Sequence, residues 1–315
     1  MIISYTTTEK DEGRTAYSIM RNELLISSTL LRRLKQADAI SVSGQSVFTN
    51  YKLLQGQTLA VNVGRAEPDC GNVPEDGEIE ILYESDGLIA VNKPSGVLVH
   101  PSRARYSGTL SNFVAGYLLY TYGAGCCHAV NRLDRDTSGV VLFAKNSYFK
   151  SIASEALSAP DVRKEYLGIV YGQMPTSGTI DVPILRKEER NLLRIPSPDG
   201  QRAVTHFQTL YTEALGDDFY SLVRFRLETG RTHQIRVHCL YAGHPILGDK
   251  MYCTDDSNAL SQALGAASQA LHARLLFFAD PLSKELVNII APWRPPWRPE
   301  NYACNLRLDM LASRL

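Results

Sequence analysis

The feature that most constrains the fold is a series of short strand-like segments that begins near Ile79. Strand-like composition recurs in LIAVNKP, GVVLFAK, KEYLGIVYG, THFQTLY, FYSLVRFRLE and LHARLLFFAD. Helical spacing of apolar residues occurs in TLSNFVAGYLLYTYG, NSYFKSIASEAL and THQIRVHCLYAG. Strands and helices do not alternate regularly enough for a doubly wound parallel sheet. The sequence therefore predicts an α+β domain with a mixed, mainly antiparallel sheet.

The N-terminal part of the chain predicts a separate small unit. AYSIMRNELL and SSTLLRRLKQA have helical spacing, and Ser28 or Thr29 could cap the second helix. AISVSGQSVFTN alternates around a Ser-Gly-Gln turn, which indicates a hairpin, and LQGQTLAVNV predicts a further strand. Gly, Pro and acidic residues then accumulate without periodicity. We therefore predict a small α/β module at 1–66, a linker at 67–78 and a large domain at 79–315.

Charge and hydropathy limit the classes of protein. The net charge is zero, but residues 1–66 carry +3, residues 67–92 carry −8 and residues 93–236 carry +5. Local basic clusters could bind nucleic acid, although charge alone favours an ordinary solvated surface. The N-terminus does not resemble a signal peptide, and no apolar run approaches the ~18 residues of a membrane helix. We expect a cytoplasmic protein that does not bind membranes.

The cysteines do not form a recognisable metal or disulfide pattern. The chain has six, and their spacing is not that of a small secreted scaffold. Cys126, Cys127 and His128 together suggest metal chemistry, but adjacent cysteines cannot easily bind one zinc ion and no CxxC pair is present. We expect reduced thiols and no metal site. APWRPPWRPE, with four prolines in ten residues, predicts an irregular C-terminal strap.

The first polar cluster is a charged turn, NRLDRDTSG, directly before a buried strand. It places Asp134 and Asp136 among arginines, which is a costly arrangement unless it has a function or is internally paired. On residue types alone, a salt-bridged loop with Asp134 capping backbone amides is the more common explanation.

Two further clusters contain residues that could orient a carboxylate or stack on a nucleobase. In GRTHQIRVH, a helix starting near Thr229 or Thr232 would place Arg231 and Ile235 on one face. An arginine fork could orient a carboxylate, but a solvated basic face is an equal possibility. Tyr166, in KEYL, could stack on a nucleobase, although a tyrosine at a strand start more often belongs to the core.

Another polar turn, NKPSG, follows the predicted strand LIAV. Lys93 could meet a phosphate and Asn92 could contact substrate, but Pro94 and Gly96 could equally make this a purely structural turn. The chain contains no P-loop, no GxGxxG after a strand, no GxSxG elbow and no HExxH. Nucleotide hydrolysis, dinucleotide redox chemistry and zinc proteolysis are therefore not indicated.

Four motifs occur together and in order: NKPSGVLVHPS, NRLDRDTSGVVLFAKN, KEYLGIVYG and ETGRTHQIRVHCLYAGHPILGDKMY. In this combination the sequence resembles the RluA-like family of RNA pseudouridine synthases over roughly residues 79–292. Residues 14–63 resemble the small RNA-binding module of a ribosomal small-subunit protein, a match that rests mainly on pattern. The resemblance implies an enzyme that isomerises uridine to pseudouridine in structured RNA, without metal or cofactor. We expect a monomer.

The resemblance also implies roles for individual residues. Asp134 matches the catalytic aspartate, Arg132 the residue that enters the RNA stack when the target base leaves, and Tyr166 the tyrosine that packs on the flipped uracil. Arg231 matches the basic partner of the catalytic carboxylate. Apolar pocket lining is expected from Ile235 and Leu247, and RNA contacts of the small module from Arg32, Arg33 and Lys35.

One departure from the family pattern and several open alternatives bear on these roles. Asn131 stands where histidine is commoner, which puts in question any RNA contact at that position. By analogy, the N-terminal module favours large-subunit ribosomal RNA over transfer RNA as substrate. A non-catalytic RNA-binding protein on the same fold, or an unrelated hydrolase that uses Asp134, are the alternatives.

Overall fold

The small N-terminal unit is a four-stranded antiparallel sheet covered by two helices. The computed structural model describes residues 1–67, 70–101, 106–187 and 193–293; most of the predicted proline-rich strap lies outside them. The sheet order is β1-β4-β2-β3. Its elements are β1 (Ile2–Thr6), α1 (Ala16–Asn22), α2 (Ser28–Gln36), β2 (Ile40–Val42), β3 (Gln45–Ser46) and β4 (Thr58–Asn62), with 3-10 turns at Glu9–Asp11 and Val63–Ala66.

Most of the local predictions for this unit are confirmed. The hairpin turns at Ser43 and Gly44, which have φ angles of 49° and 85°. The cap prediction was wrong by one residue, because Ser27 precedes α2 and its hydroxyl accepts the Leu30 N–H at 3.3 Å. Strand β1 was not predicted. It pairs with β4, about 55 residues away in sequence, which no local pattern can indicate.

The other described residues form one ten-stranded sheet and a two-stranded ribbon. The main path is β10-β13-β14-β9-β15-β8-β6-β5, with β16 on β15 and β7 on β8, while β11 pairs with β12. The strands are β5 (Glu80–Glu84), β6 (Leu88–Lys93), β7 (His128–Ala129), β8 (Ser138–Ala144), β9 (Arg163–Tyr171), β10 (Ser177–Asp181), β11 (Ile184–Arg186), β12 (Arg194–Pro196), β13 (Val204–Leu215), β14 (Asp218–Leu227), β15 (Leu271–Ala279) and β16 (Leu286–Ile290). The helices are α3 (Leu110–Tyr122), α4 (Ser147–Ala156), α5 (Gln234–Tyr241) and α6 (Asp255–Ala263).

The predicted fold class is confirmed: the sheet is mixed and mainly antiparallel. Its one parallel pairing within the described residues joins β15 to the start of β8. That pairing requires glycine at 139, where φ is 111° and a Cβ would lie 2.2 Å from the Ala273 carbonyl oxygen. The close approach brings the turn before β8 to the middle of the sheet. The six predicted strands and three predicted helices of this region are present, whereas α6 and the strands β7, β10, β11, β12 and β16 were not predicted.

The two units share apolar packing. Side chains of α1 and α2 belong to one buried cluster with side chains of β6, β8 and α4. The Tyr148 hydroxyl donates to the Leu24 carbonyl at 2.9 Å, and the Arg33 guanidinium donates to the Ser147 hydroxyl at 3.2 Å. The small unit is therefore seated on α4.

The segment predicted as a linker packs on the large unit along α3. Asn112 donates to the Val73 carbonyl at 2.8 Å, and Asn72 donates to the Cys127 carbonyl at 2.7 Å. At Gly116 a Cβ would lie 2.0 Å from the Glu75 carbonyl oxygen. The domain boundaries stay a prediction. Within the described residues, no helix combines the length and apolar character needed to cross a membrane.

Candidate active site

A cleft crosses the middle of the large sheet beside the turn before β8. The side chains that line its inner part come from that turn, from β9 and from the start of α5: Arg132, Leu133, Asp134, Thr137, Tyr166, Leu227, Arg231, His233, Gln234, Ile235, Arg236 and Leu271. The polar clusters NRLDRDTSG and GRTHQIRVH and the tyrosine of KEYL, Tyr166, thus meet in one cleft. Asp134 is partly exposed there, at 26% of its side-chain area.

Asp134 is held by an arginine that is itself held by a second, buried carboxylate. Arg236 Nη1 donates to Asp134 Oδ2 at 2.9 Å. The same guanidinium donates to both oxygens of Asp249, at 2.6 and 2.9 Å, and Asp249 is only 1% exposed. Burial opposes the arginine charge, but its bonds to Asp249 and Asp134 raise the pKa of Arg236 above its ordinary value. The cation therefore stays charged and fixed in orientation.

The predicted partner of Asp134 was the wrong arginine. Arg231 lies in the same cleft, but its Nε donates to the Arg202 carbonyl at 3.0 Å and its side chain does not pair with Asp134. The prediction assumed a helix that starts near residue 229 or 232. The helix starts instead at Gln234, so Arg231 precedes it and Arg236, in its first turn, faces Asp134.

His233 is a site residue for which no catalytic role was predicted. It has a left-handed backbone, with φ of 59°, which is uncommon for a residue other than glycine. Its Nε2 lies 3.9 Å from Asp134 Oδ1, and its Nδ1 lies 2.9 Å from the Tyr252 hydroxyl, which accepts the Arg194 N–H at 2.8 Å. Burial lowers the pKa of His233, against the opposing effect of Asp134. The imidazole is therefore neutral at neutral pH.

Tyr166 and Ile235 lie where the sequence predicted them. Tyr166 projects from β9 into the cleft, and burial together with the Asp134 charge raises its pKa to about 12, so the hydroxyl is neutral. Ile235 lines the cleft and is 4% exposed. Leu247 does not line it: this side chain is fully buried in the core, and its N–H donates to the Ile169 carbonyl at 2.9 Å. Arg132 is exposed at the mouth of the cleft.

Lys93 and Asn92 do not line this cleft. The Lys93 side chain is fully buried, and its ammonium donates to the carbonyls of Pro94, Val97 and Arg135 at 2.7 to 2.8 Å. Burial lowers the pKa of Lys93 to about 7, but three carbonyl acceptors require all three ammonium hydrogens, so we expect the charged form. The predicted phosphate contact was wrong, because Lys93 holds the turn that carries Asp134. Asn92 donates to Glu80 and to the Pro292 carbonyl.

Asn131 supports the same turn from the other side. Its Nδ2 donates to the Val140 carbonyl at 3.2 Å, and its Oδ1 accepts the Leu142 N–H at 2.7 Å. The amide therefore fastens the turn to β8. An unprotonated histidine has one donor and one acceptor on opposite sides of its ring, whereas the amide presents both at one end. The departure from the family pattern is compatible with an intact turn.

The three basic residues proposed for RNA contact in the small unit are not equivalent. Arg32 and Lys35 are exposed on α2. Arg33 is half-buried, and its guanidinium bonds to Ser147 at the start of α4. The structure therefore leaves Arg32 and Lys35 accessible to a phosphate and places Arg33 in the contact between the two units.

Comparison with known proteins identifies the family. The model of RNA pseudouridylate synthases matches residues 87–241. The uncharacterized RNA pseudouridine synthase YhcT of Bacillus subtilis is 35% identical over 287 residues, which are 90% of this chain and 91% of that protein. The chain belongs to the RNA pseudouridine synthase family. The resemblance inferred from the four ordered motifs is confirmed, and the enzyme is an isomerase that acts on RNA.

Two further relatives support the assignment. The ribosomal large subunit pseudouridine synthase D of Xanthomonas campestris is 36% identical over 279 residues, covering 84% of this synthase and 80% of the relative. The solved structure of human RNA pseudouridylate synthase domain containing 1 has a TM-score of 0.58 at 27% identity, covering 73% of this chain and 90% of the human one. The large sheet and its central cleft therefore form a pseudouridine synthase fold.

Proposed function

We propose that this synthase converts uridine to pseudouridine in large-subunit ribosomal RNA, with Asp134 as the catalytic carboxylate. The main support for Asp134 as the catalytic carboxylate is its contact with Arg236: Asp134 Oδ2 lies 2.9 Å from Arg236 Nη1, in a cleft that also contains Tyr166. The other Asp134 oxygen has no partner closer than His233 Nε2 at 3.9 Å among the ion pairs of the described residues. One oxygen is thus fixed and the other faces the cleft.

The geometry suits an isomerisation on an extruded base. The reaction breaks the N1–C1′ bond, turns the uracil, joins C5 to C1′, and moves the C5 proton away while N1 gains one. A stacked uridine cannot reach the Asp134 carboxylate, so the base has to leave the helix at a cost of a few kcal/mol. In this proposal Arg132, which is exposed at the mouth of the cleft, fills the gap left in the RNA.

Inside the cleft, Tyr166 and Ile235 offer an aromatic and an aliphatic surface to a flat base. The neutral hydroxyl of Tyr166 can donate or accept a proton during the turn of the uracil. Asp134 can attack C1′, add to the base or remove a ribose proton. Each of these routes uses the same carboxylate oxygen that faces the cleft.

The proposed substrate class rests on two observations. A relative of similar length carries the name ribosomal large subunit pseudouridine synthase D. The chain also has a small α/β unit with exposed Arg32 and Lys35 beside the catalytic unit. Exposed cations on a small unit that packs against the catalytic unit can bind phosphates of a folded RNA next to the target uridine. A monomeric, cytoplasmic enzyme is part of this proposal.

The test compares Asp134→Asn with the matched control Asp136→Asn. Asp136 is the next acidic residue in the same turn and pairs with Arg135 at 3.0 Å. Purified variants are incubated with large-subunit ribosomal RNA transcripts, and pseudouridine is mapped by carbodiimide labelling and primer extension. We expect no product from Asp134→Asn, unchanged RNA binding, and most of the activity from Asp136→Asn. Pseudouridine formation by Asp134→Asn would overturn the assignment of the catalytic carboxylate.

Mapping pseudouridine in all cellular RNA with and without the gene tests the substrate class. Loss of one or more sites in large-subunit ribosomal RNA is the expected result. Loss confined to transfer RNA would replace the proposed substrate and leave the catalytic assignment intact. Binding without any modified RNA in either experiment would support the non-catalytic alternative.

A further inference from the structure

Three potential metal ligands meet, and a fourth lies beside them, on the side of the molecule where the small unit joins the large one. They are Glu67 and Cys70 from the segment after the small unit, and Cys126 and His128 from the approach to β8. We call them the Cys-His cluster. Ligand atoms of Glu67, Cys126 and His128 all lie within 4.8 Å of one another, and Cys70 lies beside Cys126 but outside this group of three. The isomerase mechanism uses none of these residues.

The distances among Glu67, Cys126 and His128 fit three ligand positions of a tetrahedral ion. Zinc bonds of about 2.3 Å to sulfur and about 2.0 to 2.1 Å to nitrogen or oxygen place sulfur roughly 3.6 Å from each lighter ligand. Cys126 Sγ lies 3.6 Å from His128 Nε2 and 3.6 Å from Glu67 Oε1. His128 Nε2 and Glu67 Oε1 are 2.7 Å apart, so this pair would open by about 0.6 Å on binding.

The surroundings hold the ligands in place. The Ser147 hydroxyl donates to Glu67 Oε2 at 3.0 Å, and the Ser147 backbone N–H is shared between Oε2 at 2.9 Å and Oε1 at 3.0 Å, which orients the carboxylate. Oε1 also lies 2.7 Å from His128 Nε2 and 3.6 Å from Cys126 Sγ. The side chains of Glu67 and His128 are 16% and 14% exposed, so little water competes. Cys127 is not part of the cluster, because its thiol donates to the Ser111 carbonyl under α3.

The donor set identifies the class of metal. Two sulfurs, one imidazole nitrogen and one carboxylate oxygen match zinc, whereas magnesium and calcium prefer oxygen alone. The sequence predicted no metal because it offers only adjacent cysteines at 126 and 127. The fold adds Glu67 to these residues and brings Cys70 beside Cys126, and both lie more than fifty residues earlier in the chain.

We propose that the Cys-His cluster binds one structural Zn²⁺ through Cys126, His128, Glu67 and Cys70. The ion would fasten the segment that follows the small unit to the catalytic unit, beside Ser147. That residue begins α4, the helix on which Arg33 and Leu24 of the small unit rest. A bound ion would therefore stabilise the seat of the small unit without touching the reacting base.

The first measurement uses the full-length protein purified from cells without added metal. Zinc is quantified by mass spectrometry, and its release is followed with a chromogenic chelator. We expect one zinc per chain and a lower unfolding midpoint after chelation, restored by added zinc. Replacement by Co²⁺ should give the visible bands of a tetrahedral ion and a near-ultraviolet thiolate band. Absence of zinc, together with no cobalt spectrum on titration, would overturn the proposal.

Variants then locate the ion. Cys126→Ser is expected to weaken zinc binding by at least ~100-fold, more than loss of an outer-shell contact would. Cys70→Ser should weaken the thiolate band of the cobalt form. The matched control is Cys253→Ser, at an exposed cysteine outside the cluster, which should bind as the parent does. Unchanged zinc affinity in Cys126→Ser, or a Cys70–Cys126 disulfide in the protein as purified, would overturn the site.

Discussion

Arg236 donates to Asp134 with one guanidinium nitrogen and to both oxygens of Asp249 with the other two. The two acids differ in exposure: Asp249 is 1% exposed and Asp134 is 26% exposed. The buried pair fixes the plane of the guanidinium, and the third nitrogen then fixes the reactive carboxylate. Asp249 is therefore a positioning residue that acts through Arg236. The two acids have different roles, because Asp134 faces the cleft and Asp249 is buried.

Replacing Arg236 with lysine tests this relationship. A lysine is a point charge and cannot bond to both carboxylates in the same geometry. Loss of a charge-assisted hydrogen bond of about 1.5 to 3 kcal/mol predicts a fall in kcat/KM of about 10- to 100-fold. The control is Arg231→Lys in the same cleft, expected to change kcat/KM by less than about 3-fold. Equal losses in both variants would contradict the assignment of the pairing to Arg236.

A comparison of His233→Gly with His233→Ala tests whether the left-handed backbone at residue 233 is strained. Both remove the imidazole near Asp134, and both should lower kcat. Only glycine adopts the φ of 59° without strain. The glycine variant should therefore be about 1 kcal/mol more stable to urea than the alanine variant, although it is no more active. Equal stabilities would show that the left-handed backbone is not strained.

How far the sequence predicts this site depends on the kind of information each residue carries. Asp134 precedes the buried strand β8 and Tyr166 lies in β9, and both strands contain runs of consecutive buried residues that a short apolar stretch in the sequence indicates. The pairing of Arg236 depended on the residue at which α5 begins, and helix boundaries are poorly encoded. The roles of Lys93, Glu67 and Cys70 depend on contacts between distant segments. No local pattern carries that information.

Lys93→Met tests the support of the catalytic turn. Methionine fills similar volume but leaves the Pro94, Val97 and Arg135 carbonyls without their donor. We expect a loss in the free energy of unfolding of about 3 kcal/mol or more, together with reduced activity at temperatures where the protein stays folded. The control Lys150→Met, at an exposed position on α4, should leave both properties unchanged. A stable Lys93→Met variant with weakened RNA binding would restore the phosphate role.

The burial of His272 predicts that the free energy of unfolding decreases in acid. Burial lowers its pKa to about 4 from an ordinary 6.5, and its Nε2–H donates to the Ala291 carbonyl while Nδ1 accepts from Ser138. Between pH 6.5 and about 4, His272 binds a proton in the unfolded chain but stays unprotonated in the folded protein. The free energy of unfolding should therefore fall as the pH drops from 6.5 to about 4, by up to about 3 kcal/mol.

His272→Gln removes this titration. Urea unfolding at pH 7.5 and 4.5 should show a smaller difference between the two pH values in this variant than in the parent. Comparing the differences removes the constant cost of the substitution and the contributions of other histidines. An identical pH dependence in both proteins would contradict the buried neutral state of His272.

The contribution of the small unit to RNA binding is best tested on its surface, because deleting it would expose the apolar side chains that it shares with α4. Arg32→Gln and Lys35→Gln each remove one exposed cation. If both contact phosphates, the double variant should lower the magnitude of the slope of log affinity against log salt by about 1.4 to 1.8. Arg33→Gln is the control on the same helix, since its side chain bonds to Ser147 and should change stability more than salt dependence. An unchanged slope in the double variant, with a changed slope in Arg33→Gln, would move the RNA-binding surface away from the exposed face of α2.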